Sequence, residues 1–152
     1  MVVAILGESC TGKSTLAAAL TESMGAKVYT GKDYVRLAKN EADARAQFVA
    51  LLHAAQTTEE MVVYVISERE YLALLPPKAV RVLMTADLPL IKERFARRMN
   101  GNLPAPVAAM LEKKHGSFEQ EAHDMRIDHA TGDPSEVCQQ VVALARAKNQ
   151  LA

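Results

Sequence analysis

Gly7-Glu8-Ser9-Cys10-Thr11-Gly12-Lys13-Ser14-Thr15 decides the reading of this chain, because it satisfies the pattern G-x-x-x-x-G-K-[ST] in full. Its flanks match as well. The apolar run Met1-Val2-Val3-Ala4-Ile5-Leu6 before it reads as a buried strand, and Thr15-Leu16-Ala17-Ala18-Ala19-Leu20 after it reads as a helix start. Strand, glycine loop and helix in that order form a phosphate cradle, in which backbone N–H groups of the loop and of the helix N-terminus face an anion. Lys13 is then placed to reach the β and γ phosphates of a nucleotide, and the Ser14 hydroxyl to ligate Mg²⁺. Gly7, Cys10, Thr11, Gly12, Lys13, Ser14 and Thr15 are the candidate nucleotide contacts. Cys10 stands at a variable position of the pattern and reads as part of the loop, not as a nucleophile.

The remainder of the composition sets bounds. A chain of 152 residues suits one domain, 1–152, that buries about two-thirds of its unfolded surface. Eighteen basic residues balance eighteen acidic ones, so charge argues for neither a nucleic-acid nor a membrane partner. No apolar run reaches the length that spans a bilayer. The N-terminus enters the first strand at once, which leaves no room for a signal peptide. Two cysteines make no disulfide framework, so a reducing cytoplasm is the default location.

Strand and helix alternate along the chain. Ala26–Thr30 is a short second strand, followed by a helical region over about 31–60 that breaks near Asn40. Met61–Ile66 is almost wholly apolar, as expected of a parallel strand covered on both faces. Ser67–Leu75 forms a short helix or turn that Pro76-Pro77 stops. Val80–Met84 is the fourth strand, and Asp87 is placed to cap a helix reaching about Asn100. A helical piece near Ala105–His115 and another over Phe118–Asp124 precede a short strand, Met125–Asp128. Pro134–Lys148 is a final amphipathic helix. The expected fold class is α/β: three layers, a mostly parallel five-stranded sheet with helices on both faces, and a short lid over about 94–118. Ligands then sit at the carboxyl ends of the strands.

Several residues at that rim can carry chemistry. Asp33 and Arg36 stand three apart after the second strand, where Arg36 can grip an acceptor phosphate and Asp33 can deprotonate an acceptor hydroxyl. A plain surface ion pair explains the spacing equally well. Glu68 closes the third strand, where it can accept from a metal-bound water, while Arg69 can meet an acceptor phosphate. Both also fit the polar first turn of an ordinary helix. Lys92, Arg94, Arg97 and Arg98 form a basic cluster beside the Asn100-Gly101-Asn102 break. Arg94 and Arg98, one turn apart, can close over a transferring phosphoryl group, against the alternative of a solvated flank paired with Glu93. The spacing among His53, His115, His123 and His129 makes no zinc set.

Taken in order, these pieces resemble the P-loop kinases of nucleotides and small metabolites, and among them most closely the cytidylate-kinase-like group of nucleoside monophosphate kinases. Gly7–Thr15 matches the ATP loop. Thr30-Gly31-Lys32-Asp33-Tyr34-Val35-Arg36 is similar to the T-G-x-x-x-x-R stretch, which implies acceptor binding by Arg36. Val65-Ile66-Ser67-Glu68-Arg69-Glu70 is similar to a strand followed by G-R-D, with Ser67 for the glycine and Glu70 for the aspartate, and implies acceptor contact by Arg69. Val82–Ala86 with Arg94, Arg97 and Arg98 resembles the strand and arginine-bearing lid helix, and Asp124–Asp128 the closing segment. The resemblance implies an ATP- and Mg²⁺-dependent phosphotransferase with a small-molecule phosphoryl acceptor, cytoplasmic, monomeric or homodimeric. A short lid and Asp-x-x-Arg after the second strand also suit a shikimate-kinase-like acceptor. The rival readings are a nucleotide hydrolase or switch, and a nucleotide-binding regulator without catalysis.

Overall fold

The sheet is built around the strand that feeds the glycine loop. In a computed structural model that describes residues 1–150, strand β1 (Val2–Leu6) lies at the centre, and every residue of it is buried. The other strands are β2 (Lys27–Thr30), β3 (Val62–Ile66), β4 (Val80–Thr85) and β5 (Met125–Asp128). They run in the order β2-β3-β1-β4-β5. Every pairing is parallel, so the sheet is wholly parallel where the sequence suggested mostly so. The helices are α1 (Lys13–Met24), α2 (Glu41–Ala55), α3 (Leu88–Arg98), α4 (Ala105–Lys114) and α5 (Ser135–Gln150), with short 3₁₀ segments at Asp33–Leu37 and Arg69–Leu74.

Strand side chains alternate between two cores, as the pleat demands. Val2, Ala4, Leu6, Val62, Tyr64, Ile66 and Leu83 face Phe48 and Leu52 of α2. Val3, Ile5, Val63, Val65, Val82 and Met84 face Leu16 and Leu20 of α1 and Val141 of α5. Covering on both faces is why β1 and β3 read as unbroken apolar runs. Phe48 and Leu52 are therefore core residues. A third, smaller core ties Ile91 of α3 and Leu111 of α4 to Cys10 of the glycine loop.

The break expected near Asn40 is the start of α2, where the Asn40 side chain accepts a hydrogen bond from the Asp43 N–H at 2.8 Å. Such a cap is worth about 1 kcal/mol. Two local expectations differ from the structure. Phe118–Asp124 is not helical: its N–H bonds reach back three residues, Glu119 to Gly116 and Glu121 to Phe118, so it forms successive turns after Gly116, whose φ is 81°. Phe118 holds that segment by burying its ring in the α2-side core. Asp87 sits at the N-cap of α3 but makes no capping bond, because its carboxylate lies 3.1 Å from His129 Nε2. No described helix is long and apolar enough to cross a membrane.

The loops that leave the strands continue the ladder for one more bond each. Gly7 N–H donates to Ile66 O at 3.1 Å, Gly31 N–H to Val65 O at 3.0 Å, and His129 N–H to Thr85 O at 2.8 Å. The rim at the carboxyl ends is thereby fixed to the sheet.

Candidate active site

The glycine loop turns through three residues with positive φ: Gly7 at 153°, Cys10 at 63° and Gly12 at 98°. A Cβ on Gly7 would lie 2.3 Å from Met84 O, so the loop passes too close to β4 for any side chain there. Thr11 is buried and donates its hydroxyl proton to Glu8 O at 2.8 Å. Among the described residues, no protein group accepts a hydrogen bond from the backbone N–H groups of Ser9 to Ser14. A row of unclaimed amides at a helix start suits an anion with several oxygens.

Lys13 lies beneath those amides, 6% exposed, with Nζ donating to Glu8 O. Its ammonium is lowered from 10.5 to about 8, chiefly by burial with Arg98 adding to the effect, against the opposing pull of Cys10 and Glu8. A phosphate would reverse that shift by favouring the charged form. Binding of a nucleotide polyphosphate should therefore be nearly flat between about pH 7 and 8 and weaken above it, by up to tenfold per pH unit. Titration calorimetry across pH 7 to 10 would measure this, and flat affinity over that range would remove Lys13 from the binding site.

The cleft beside the loop has a volume of roughly 680 Å³ and is walled by Gly12, Thr15, Arg94, Arg98 and the segment 127–134. Its two arginines differ in what they hold. Arg94 uses its planar fork on two carbonyls, Cys10 O at 3.0 Å and Ala130 O at 2.7 Å. It thereby staples the glycine loop to the loop after β5. Arg98 makes no such bond among the described residues. Arg97 pairs with Glu93 on the surface, both more than half exposed. Thr85, buried at the end of β4, donates to Asp128, and this bond together with Arg126 lowers the Asp128 carboxyl below its ordinary range.

An ammonium cannot span both carbonyls that Arg94 holds. Arg94→Lys should lose one charge-assisted bond worth about 1.5 kcal/mol, weakening nucleotide binding about tenfold. Calorimetry with a denaturation control would separate that loss from unfolding.

A second cavity, roughly 290 Å³, opens on the other side of the loop between Glu8, Ser9, the Ser67–Glu70 turn and α4. Glu68 and Arg69 both line it. Each is already paired, Glu68 with Lys114 at 2.8 Å and Arg69 with Glu121 at 2.8 Å. Glu8 is mostly buried, and its carboxylate meets His115 Nδ1 and the Gly116 N–H, each at 3.1 Å. Glu8 was not legible as a site residue, because its place in the motif accepts any side chain. The bond from loop to α4 appears only in three dimensions.

Asp33 and Arg36 stand apart from both cavities. Tyr34 between them stacks on Phe48 at 5.3 Å, its ring inside the core, which turns its neighbours outward. Asp33 accepts the Thr30 N–H at 2.9 Å through one oxygen. The Arg36 guanidinium lies over the Tyr29 ring, 5.6 Å from its centroid. Ser14 is exposed on the first turn of α1.

No family model matches this sequence, and no curated protein does. Solved structures do match in fold. An uncharacterized protein from Eubacterium ventriosum superposes with a TM-score of 0.66 at 17% identity, over 97% of this chain and 99% of that one. A gluconokinase from Sinorhizobium meliloti gives 0.61 at 20% identity, over 99% and 94%. A shikimate kinase from Acinetobacter baumannii, in complex with shikimate, gives 0.59 at 16%, over 99% and 95%. The chain therefore shares with these structures a three-layer α/β fold, with a parallel five-stranded sheet between helices.

Proposed function

We propose that this protein is an ATP-dependent phosphotransferase acting on a small metabolite. The observation that carries the reading is the pairing of the unclaimed Ser9–Ser14 amides with a buried Lys13, placed between one arginine-lined cleft and one separate cavity. A hydrolase needs only the first of these spaces; a transferase needs both. ATP would lie against Gly7, Cys10, Thr11, Gly12, Lys13, Ser14 and Thr15, with its γ-phosphate toward the second cavity. Arg98 would neutralise the transferring phosphoryl while Arg94 positions the cradle, a division of the roles first read jointly for that pair. Little covalent chemistry falls to the protein, so alignment and charge do most of the work.

Mg²⁺ fits the exposed Ser14 hydroxyl, completed by phosphate oxygens and water, and would supply charge neutralisation on the phosphates. Glu68 can join it only by leaving Lys114. The acceptor would enter the cavity beside Arg69. Asp33 and Arg36 lie outside that cavity and would serve an acceptor only if the segment after β2 moved toward it: Asp33 keeps one carboxylate oxygen clear of the Thr30 N–H to act as base for an acceptor hydroxyl, and Arg36 would have to leave Tyr29. The sequence likeness to nucleoside monophosphate kinases and the fold likeness to a gluconokinase and a shikimate kinase leave acceptors of several kinds to compare.

The test is ADP formation from ATP–Mg²⁺, alone and with nucleoside monophosphates, nucleosides, gluconate and shikimate. Turnover that depends on an acceptor supports the transferase. Equal turnover without any acceptor would mean a hydrolase, and tight nucleotide binding with no turnover a regulator.

A further inference from the structure

The two spaces flanking the glycine loop carry opposite charge. Arg94, Arg98 and the Glu93-paired Arg97 line the nucleotide side together with Asp128 and Asp133, and Lys13 of the adjoining loop adds to the excess of cations there. On the other side stand the carboxylates of Glu8, Glu68 and Glu70, with Arg69 and Lys114 the cations of that wall. Neither cation is spare. Lys114 holds Glu68 and Arg69 holds Glu121, each at 2.8 Å. Arg36 is drawn off to the Tyr29 ring. Glu70 makes no ion pair among the described residues. Met110, Leu111 and Phe118 supply an apolar wall, and Ser9, Ser67 and Ser117 supply hydroxyls.

We infer that the acceptor is a hydroxyl compound bearing no negative charge, with one apolar face, held by serine hydroxyls and carboxylates in the Glu8–Glu70 cavity. This rests on the phosphotransferase reading and narrows it. An acceptor phosphate or carboxylate would enter a space with a net excess of carboxylates, and would have to break an existing ion pair to find a cation. A neutral or aminated alcohol meets no such opposition, since carboxylates and hydroxyls accept its O–H and N–H groups. In the transfer, the acceptor oxygen forms a bond to the γ-phosphorus and the bridging P–O bond of ATP breaks. ADP departs with that electron pair, and the hydroxyl proton passes to one of the carboxylates that line this cavity.

Paired acceptors that differ by one anionic group test this at saturating ATP–Mg²⁺: nucleosides against their 5′-monophosphates, glucitol against gluconate, and methyl shikimate against shikimate. The uncharged member of a pair should be favoured at least tenfold in kcat/KM. Glu70→Lys, at an exposed position, should narrow that preference at least threefold. Preference for the anionic member, or a preference unmoved by Glu70→Lys, overturns the inference and leaves the phosphotransferase intact. ADP formation that no acceptor stimulates overturns the phosphotransferase reading, and the inference falls with it.

Discussion

Lys13→Met should abolish nucleotide binding and yet leave a protein that is harder to unfold. The methylenes of Met fill the same buried path, so packing is nearly conserved. What disappears is a charge held in a poor place. A lysine lowered from 10.5 in the unfolded chain to about 8 in the fold carries a penalty of about 3 kcal/mol at neutral pH. Loss of the bond to Glu8 O gives back about 1 kcal/mol. The net expectation is a gain of about 2 kcal/mol in unfolding free energy.

The pH dependence identifies the cause. The folded protein binds fewer protons than the unfolded chain between about 8 and 10.5, so wild-type stability rises with pH across that window. The advantage of Lys13→Met should be complete below pH 8 and fade toward pH 10.5. Urea denaturation of both proteins from pH 7 to 10.5 would measure it. An advantage that stays constant with pH would mean that packing, not charge, explains the gain. Loss of all stability in the variant would refute the account of Lys13 outright.

Gly7→Ala is expected to be the most damaging single-methyl change in the chain. Its Cβ would come within 2.3 Å of Met84 O and 3.0 Å of Thr11 Oγ1, and the contact is with strand backbone, which cannot swing aside. Either β4 moves or the loop leaves it. We expect a loss of more than about 3 kcal/mol together with loss of nucleotide binding. Gly31→Ala is the control. It also has positive φ, at 52°, but a Cβ there meets nothing within 4 Å, so its cost should stay near 1 kcal/mol. Equal destabilisation by the two changes would show that φ alone, and not the approach to Met84, makes Gly7 necessary.

What could be read from the sequence divides along a physical line. Apolar runs such as Met61–Ile66 announce buried parallel strands because burial on both faces removes alternation, and so the sheet was legible. The strand, glycine loop and helix were legible because each fixed glycine of the motif answers a local demand of the backbone. Pairings across the chain were not. Nothing local in Asp33-Tyr34-Val35-Arg36 reveals that Tyr34 will stack on Phe48 and that Arg36 will lie over Tyr29. Nothing in Glu8 reveals His115, 107 residues away. Arg94 was legible as a cation on the helix after the fourth strand, but its grip on Cys10 O and Ala130 O depends on where two loops converge. The Phe118–Asp124 turns misread as helix for the same reason, since a buried Phe118 overrides local preference.

The central place of β1 also bears on how the protein comes to exist. Val2–Leu6 is first along the chain, yet its neighbours are residues 62–66 on one edge and 80–83 on the other. A nascent chain thus carries an apolar strand with both edges unmatched until residue 66 has been made, and with one edge still unmatched until more than half its length exists. Parallel pairings this distant in sequence form late and slowly. The glycine loop inherits that delay: Gly7 is anchored by Ile66 and its path is bounded by Met84. Nucleotide held by a partly synthesised or refolding chain should therefore first be detected only when β4 has docked, which makes ligand capture a reporter of the last step in assembling the sheet's centre.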